Sequence, residues 1–105
     1  MLRVTYAQEA HLLTLQGHAR SGAYGRDLVC AAASILALTL EAAVGRLAVQ
    51  GFVTEPETLL GEGYARISCR PSPGQEDLTR QVFSCICAGY ELLAEAYPQY
   101  VSYSG

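Results

Sequence analysis

The sequence predicts an α+β fold, a single domain over residues 1–105 in which an antiparallel sheet carries two helices packed on one face, in the order ββαββαβ. Three observations carry that prediction. Short segments alternate apolar and polar residues with period two, two longer segments repeat apolar residues at helical intervals, and glycine- and proline-bearing stretches separate them. Helices segregated to one face of an antiparallel sheet bury such a set of elements in one core. A chain of 105 residues is long enough for one core and too short for two.

Residues 1–7 place Leu2, Val4 and Tyr6 on one face and Arg3 and Thr5 on the other, which predicts a half-buried strand. Residues 11–18 alternate more loosely, with Leu13 and Leu15 opposed to Thr14, Gln16 and His18, and the short link between the segments predicts a hairpin. From Arg20 to Arg26 the chain is small, polar and glycine-bearing, a loop composition. Asp27 then stands as a helix N-cap before LVCAAASILALTLEAAVGRLAV. Leu28, Ala32, Ile35, Thr39 and Ala42 mark one face of this first helix, and Leu36, Leu40, Ala43 and Leu47 a second.

Gly51 and Pro56 interrupt the helix, and TLLGEGYARISCR predicts a second hairpin with Ala65, Ile67 and Cys69 facing inward. Ser72-Pro73-Gly74-Gln75 has capping-box spacing with proline at the first helical position. The second helix follows, with Leu78, Val82, Cys85, Gly89, Leu92 and Ala96 on one face and Phe83, Ile86, Tyr90 and Tyr97 on a further apolar face, more than a small sheet covers. Pro98 ends it, and the β-prone YVSYS predicts a last edge strand.

Composition narrows the function. The net charge is −3 and the seven basic residues are scattered, so a phosphate-neutralising nucleic-acid module is not expected. All seven are arginine, which removes lysine Schiff-base chemistry and the Walker phosphate loop. MLRVTYAQEA has no apolar stretch behind a basic one, so the expectation is a cytoplasmic protein. The uncharged stretch from Leu28 to Leu40 is shorter than the ~20 residues a membrane span needs, and no membrane contact is expected. None of the four cysteines forms a Cys-x-x-Cys, and Cys85 and Cys87 point about 200° apart on a helix, so neither a metal nor any other cofactor is expected.

One segment concentrates chemistry. His18 ends a strand, and Cys30 falls in the first turn of the predicted helix, so the loop between them brings both to one end of the sheet. A helix N-terminus and a nearby imidazolium both favour the thiolate, the form of cysteine that attacks. The same helix start exposes backbone N–H groups able to hold an oxyanion. Acyl transfer, peptide hydrolysis above all, is the chemistry that such a set serves. The residues alone leave Cys30 two readings, nucleophile or small packing residue in an alanine-rich helix. Asp27 keeps three: cap, orienter of His18, or contact to a substrate backbone. The cap is favoured, and because its carboxylate would oppose a thiolate, a dyad is expected rather than a triad.

Gly17-His18-Ala19, then Gly22 and Gly25, then Asp27-Leu28-Val29-Cys30-Ala31-Ala32 resembles the signature of the bacterial ribosomal-processing cysteine protease Prp family. Length, two-helix order, acidic balance and Tyr97-Pro98 are also similar, while Leu28 stands where isoleucine is commoner. The resemblance implies a homodimeric cysteine endopeptidase that removes a short N-terminal extension from the twenty-seventh protein of the large ribosomal subunit. Its partner is that precursor, and direct nucleic-acid contact is not implied. Carried over by position, Cys30 is the nucleophile, His18 the general base, and Gly22, Gly25 and Asp27 lie on the substrate side of a loop that orders over the peptide. The alternative is a non-catalytic dimeric binding or assembly factor for a ribosomal protein, with Cys30 incidental. A redox sensor built on Cys30 lacks a second cysteine at a resolving spacing.

Overall fold

The computed structural model describes the backbone of residues 1–18 and 23–105, with the side chains of residues 23–27 outside the description. The elements are β1 (Leu2–Ala7), β2 (Leu12–Gln16), α1 (Ala23–Val49), β3 (Val53–Gly61), β4 (Tyr64–Pro71), α2 (Glu76–Ala96) and β5 (Val101–Ser104). This is the predicted order. They form one five-stranded sheet, β3-β4-β2-β1-β5, whose pairs are antiparallel except for the parallel contact of β5 with β1. That exception follows from connectivity, because α2 carries the chain across the sheet before β5 begins, and such a crossover leaves the new strand free to run parallel.

Alternation sets the register. Val4 lies opposite Leu15, which lies opposite Ala65, and Tyr6 lies opposite Leu13, which lies opposite Ile67. All six are buried, and with Leu2, Cys69 and Val101 they make the apolar face on which both helices sit. A one-residue slip would turn this whole set toward water, so burial locks the pairing.

The helices bury faces other than those their loudest apolar repeats suggest. In α1 the core residues are Val29, Ala33, Ala37, Leu40, Val44 and Leu47, whereas Leu28 and Ile35 are more than half exposed. In α2 the core is Thr79, Phe83, Ile86, Cys87 and Tyr90, while Leu92 and Cys85 face outward. The face around Phe83, read as surplus, is therefore the one that meets the sheet. Its aromatic rings have partners there: Phe83 stacks on Tyr6 with centroids 5.5 Å apart, and the Tyr90 hydroxyl donates to the Ala33 carbonyl oxygen at 2.8 Å. Gly89 brings the helices close, since a Cβ there would lie 2.6 Å from Cδ2 of Leu36.

Three boundaries differ from expectation. Helix α1 begins at Ala23, not after Asp27, so the loop expected through Arg26 is already helical at its end and Asp27 is the fifth helical residue. Alanine and arginine are strong helix formers, and the single Gly25 costs only about 1 kcal/mol, so nothing stops the helix from growing upstream. Helix α2 begins at Glu76 with Gln75 at its cap and no side-chain cap bond. Gly74, at φ +83, cannot be helical, and the Ser72 hydroxyl donates to the Gly51 carbonyl instead of capping. Pro56 falls inside β3, where an edge position and a register shift between Thr54 and Glu57 accommodate it. The stretch Leu28–Val49 is long and apolar enough, by length and composition, to cross a membrane, and 28% of it is buried in the fold.

Candidate active site

The end of β2 is shaped by two glycines. Gly17 has φ +94, and a Cβ on it would collide with the Met1 carbonyl oxygen, so only glycine turns the chain there. Its N–H donates to the Gly63 carbonyl oxygen at 2.9 Å, which ties the end of β2 to the β3–β4 turn. His18 follows, exposed at the rim. Gly63 itself has φ +70, and a Cβ on it would stand 2.7 Å from Nε2 of His18, so the imidazole rests against that turn. The turn adopts this shape because Glu62 and Gly63 form a two-residue connection whose second residue needs a left-handed backbone.

Cys30 comes from the opposite wall. It is half-buried on α1 and packs against the core. Ala33, Ser34, Ala37 and Leu38 continue that wall along the helix, and Leu60, Tyr64 and Ala65 close the other side. Together they enclose a cleft of about 510 Å³ lined by both His18 and Cys30. The structure therefore brings together the two residues singled out as base and nucleophile. It also adds what the sequence left unconnected: the Gly61–Tyr64 turn, whose Gly-Glu-Gly pattern signals a hairpin but nothing about what that hairpin faces.

The helix start does not contribute as expected. Cys30 is the eighth residue of α1, beyond the first turn, where backbone N–H groups are committed to the helix and the field of the helix terminus has faded. The oxyanion site expected there is thus not at the start of α1. Gly25 is in the first turn of that helix; Gly22 and the side chain of Asp27 lie outside the described residues.

A larger cleft of about 1030 Å³, at the other end of β2 and β4, also contains a cysteine and a histidine, Cys69 and His11. Burial pushes the Cys69 thiol up to about 11, so it stays protonated at neutral pH and is a poor nucleophile. His11 is 7% exposed, and burial lowers its pKa, helped by the nearby Arg80 guanidinium. Among the described residues, no cluster of three or more histidine, cysteine, aspartate or glutamate side chains is placed to hold a metal ion.

The sequence profile of the family described as cysteine protease Prp matches residues 1–102. The chain belongs to that family. Prp thus accounts for nearly the whole length, and the protein is a cysteine protease. SMU.848 from Streptococcus mutans is 28% identical, with 98% of this chain and 90% of that one covered at a TM-score of 0.67. Two structures of the essential ribosomal processing protease Prp from S. aureus share the fold at 20% identity, covering 98% of this chain and 95% of theirs. The one with a covalently linked product peptide has a TM-score of 0.69, and the one with a substrate peptide 0.68. No curated protein matches the chain.

Proposed function

We propose that this Prp protein removes a short N-terminal extension from the twenty-seventh protein of the large ribosomal subunit, in the cytoplasm, with Cys30 as nucleophile and His18 as general base. The observation that carries the reading is the shared cleft: a cysteine and a histidine from two different elements line one cavity of peptide-binding size. The ribosomal processing named for the S. aureus relative, and its bound peptides, support the substrate class.

In this reading His18 accepts the Cys30 thiol proton as sulfur attacks the scissile carbonyl carbon. The tetrahedral intermediate collapses as His18 returns the proton to the leaving amine, which departs with the downstream protein. The remaining thioester is cleaved by water, with His18 as base again, and Cys30 regains its proton. Leu2, Leu15, Leu38 and Leu60 give the cleft apolar walls suited to apolar side chains of a bound peptide. Gly22, Gly25 and Asp27 belong to the peptide side on the sequence pattern. Homodimerisation is part of the same proposal, supported by Leu28, Ile35 and Leu92, which are 56%, 61% and 65% exposed.

Mass spectrometry of the extended precursor after incubation tests the proposal. The wild type is expected to release the N-terminal fragment, and Cys30→Ala and His18→Ala to leave the precursor intact. Cleavage by Cys30→Ala would refute the dyad, and an intact precursor with the wild type would refute the substrate. Light scattering of the same samples reads the oligomeric state.

A further inference from the structure

The wide cleft at the far end of the sheet has the marks of a built site. Glu9, Glu55, Glu57 and Glu76 line it against Arg70, while the Arg80 guanidinium near His11 is paired with Asp77. Arg70 reaches only Glu55, at 3.9 Å and with both side chains well exposed, so the excess of negative charge stands. Among the described residues, only His11 and Glu55 are non-glycine residues at positive φ, +49 and +53, and both line this cleft. The register shift in β3 between Thr54 and Glu57 lies at the same wall.

A further observation points to a ligand. His11, 93% buried by its 7% exposure, forms part of the lining, and its Nδ1 is buried without a hydrogen-bond partner. A buried ring nitrogen left unpaired is costly, and no group among the described residues satisfies it. Burial keeps the ring neutral, so it has a nitrogen able to accept. The carboxylates are too dispersed to form a metal-binding cluster. Spread acceptors over a cleft of about 1030 Å³ suit several cationic groups on one extended chain better than a point ion.

We propose that this acidic cleft is a second binding site that takes an arginine- or lysine-bearing segment of the polypeptide substrate, with His11 and the glutamates as acceptors. The inference rests on the protein's acting on a polypeptide, not on which ribosomal protein it cuts. The reach is short. Strand β4 runs from the active cleft at Ala65 to the acidic cleft at Ser68–Arg70, about 10–17 Å at strand rise. An extended peptide of about five residues spans that distance.

The test uses the full-length protein and a fluorescein-labelled hexa-arginine peptide, read by fluorescence anisotropy. Glu55→Gln/Glu57→Gln/Glu76→Gln is expected to weaken binding about tenfold. The charge-matched Glu41→Gln/Glu91→Gln/Glu95→Gln, away from the cleft, is expected to bind like the wild type. NMR of the imidazole signals adds a local readout, because the chain has two histidines. His11 signals should shift on titration while those of His18 stay in place. Equal loss in both triple variants, or shifts confined to His18, would overturn the proposal. Neither result bears on precursor cleavage by Cys30, so the two readings fail separately.

Discussion

Replacing Gly63 with alanine tests whether the β3–β4 turn sets the position of His18. The new Cβ would lie 2.7 Å from Nε2 of His18, where carbon contacts normally sit at about 3.5–4.0 Å, so the imidazole must move about 1 Å. His18 is exposed and can yield, which keeps this part of the stability cost small. The backbone cost remains, because φ +70 disfavours an L-residue by about 1–2 kcal/mol, or roughly 5–15 °C in Tm for a domain of this size. With His18 as the proposed general base, a displacement of about 1 Å costs about 100-fold in rate. Gly74→Ala is the matched control, at φ +83 with nothing within 4 Å of its Cβ. Both variants should lose similar stability by thermal melt, while only Gly63→Ala should lose about two orders of magnitude in kcat/KM for peptide cleavage. Equal activity in the two variants would refute the reasoning.

Tyr90→Phe removes the buried bond to the Ala33 carbonyl at 2.8 Å and should cost about 1 kcal/mol in urea unfolding, with cleavage unchanged. Burial lowers the pKa of His11, so below about pH 6.5 the unfolded chain takes up a proton that the folded one refuses, and stability falls with falling pH. His11→Asn, which tolerates the left-handed backbone, should therefore flatten the stability profile as pH falls below about 6.5, as followed by chemical denaturation. Burial raises the Cys69 and Cys87 thiols while Cys85 is exposed, so among these three iodoacetamide near pH 8 should label Cys85 and reach Cys69 and Cys87 only on unfolding, as read by peptide mapping.

Much of the fold is written locally. Period-two alternation in Leu2–Tyr6 and Ala65–Cys69 states which side chains go inward, because a strand has only two faces. The Glu62-Gly63 turn and Pro98 are read from backbone chemistry alone. Helix faces were less legible. Both helices are apolar on several sides, so composition could not say that Val29, Phe83 and Tyr90 turn to the sheet and Ile35 and Leu92 to the outside. Helix starts were misplaced at Asp27 and Ser72 for a related reason: a capping residue type marks where a helix is able to begin, and the neighbouring chain decides whether it does.

For the site, the chemical parts are legible in the chain: a histidine at a strand end, a cysteine in an alanine-rich helix, and the glycine and aspartate spacing that marks the family. Packing added the rest: His18 and Cys30 line a common cleft, Gly63 from a distant hairpin backs the imidazole, and burial silences Cys69 beside His11. Residue types and short spacings are properties of the chain. Which surfaces meet, and how far a thiol is removed from water, depend on packing between separate elements, and no local pattern encodes that.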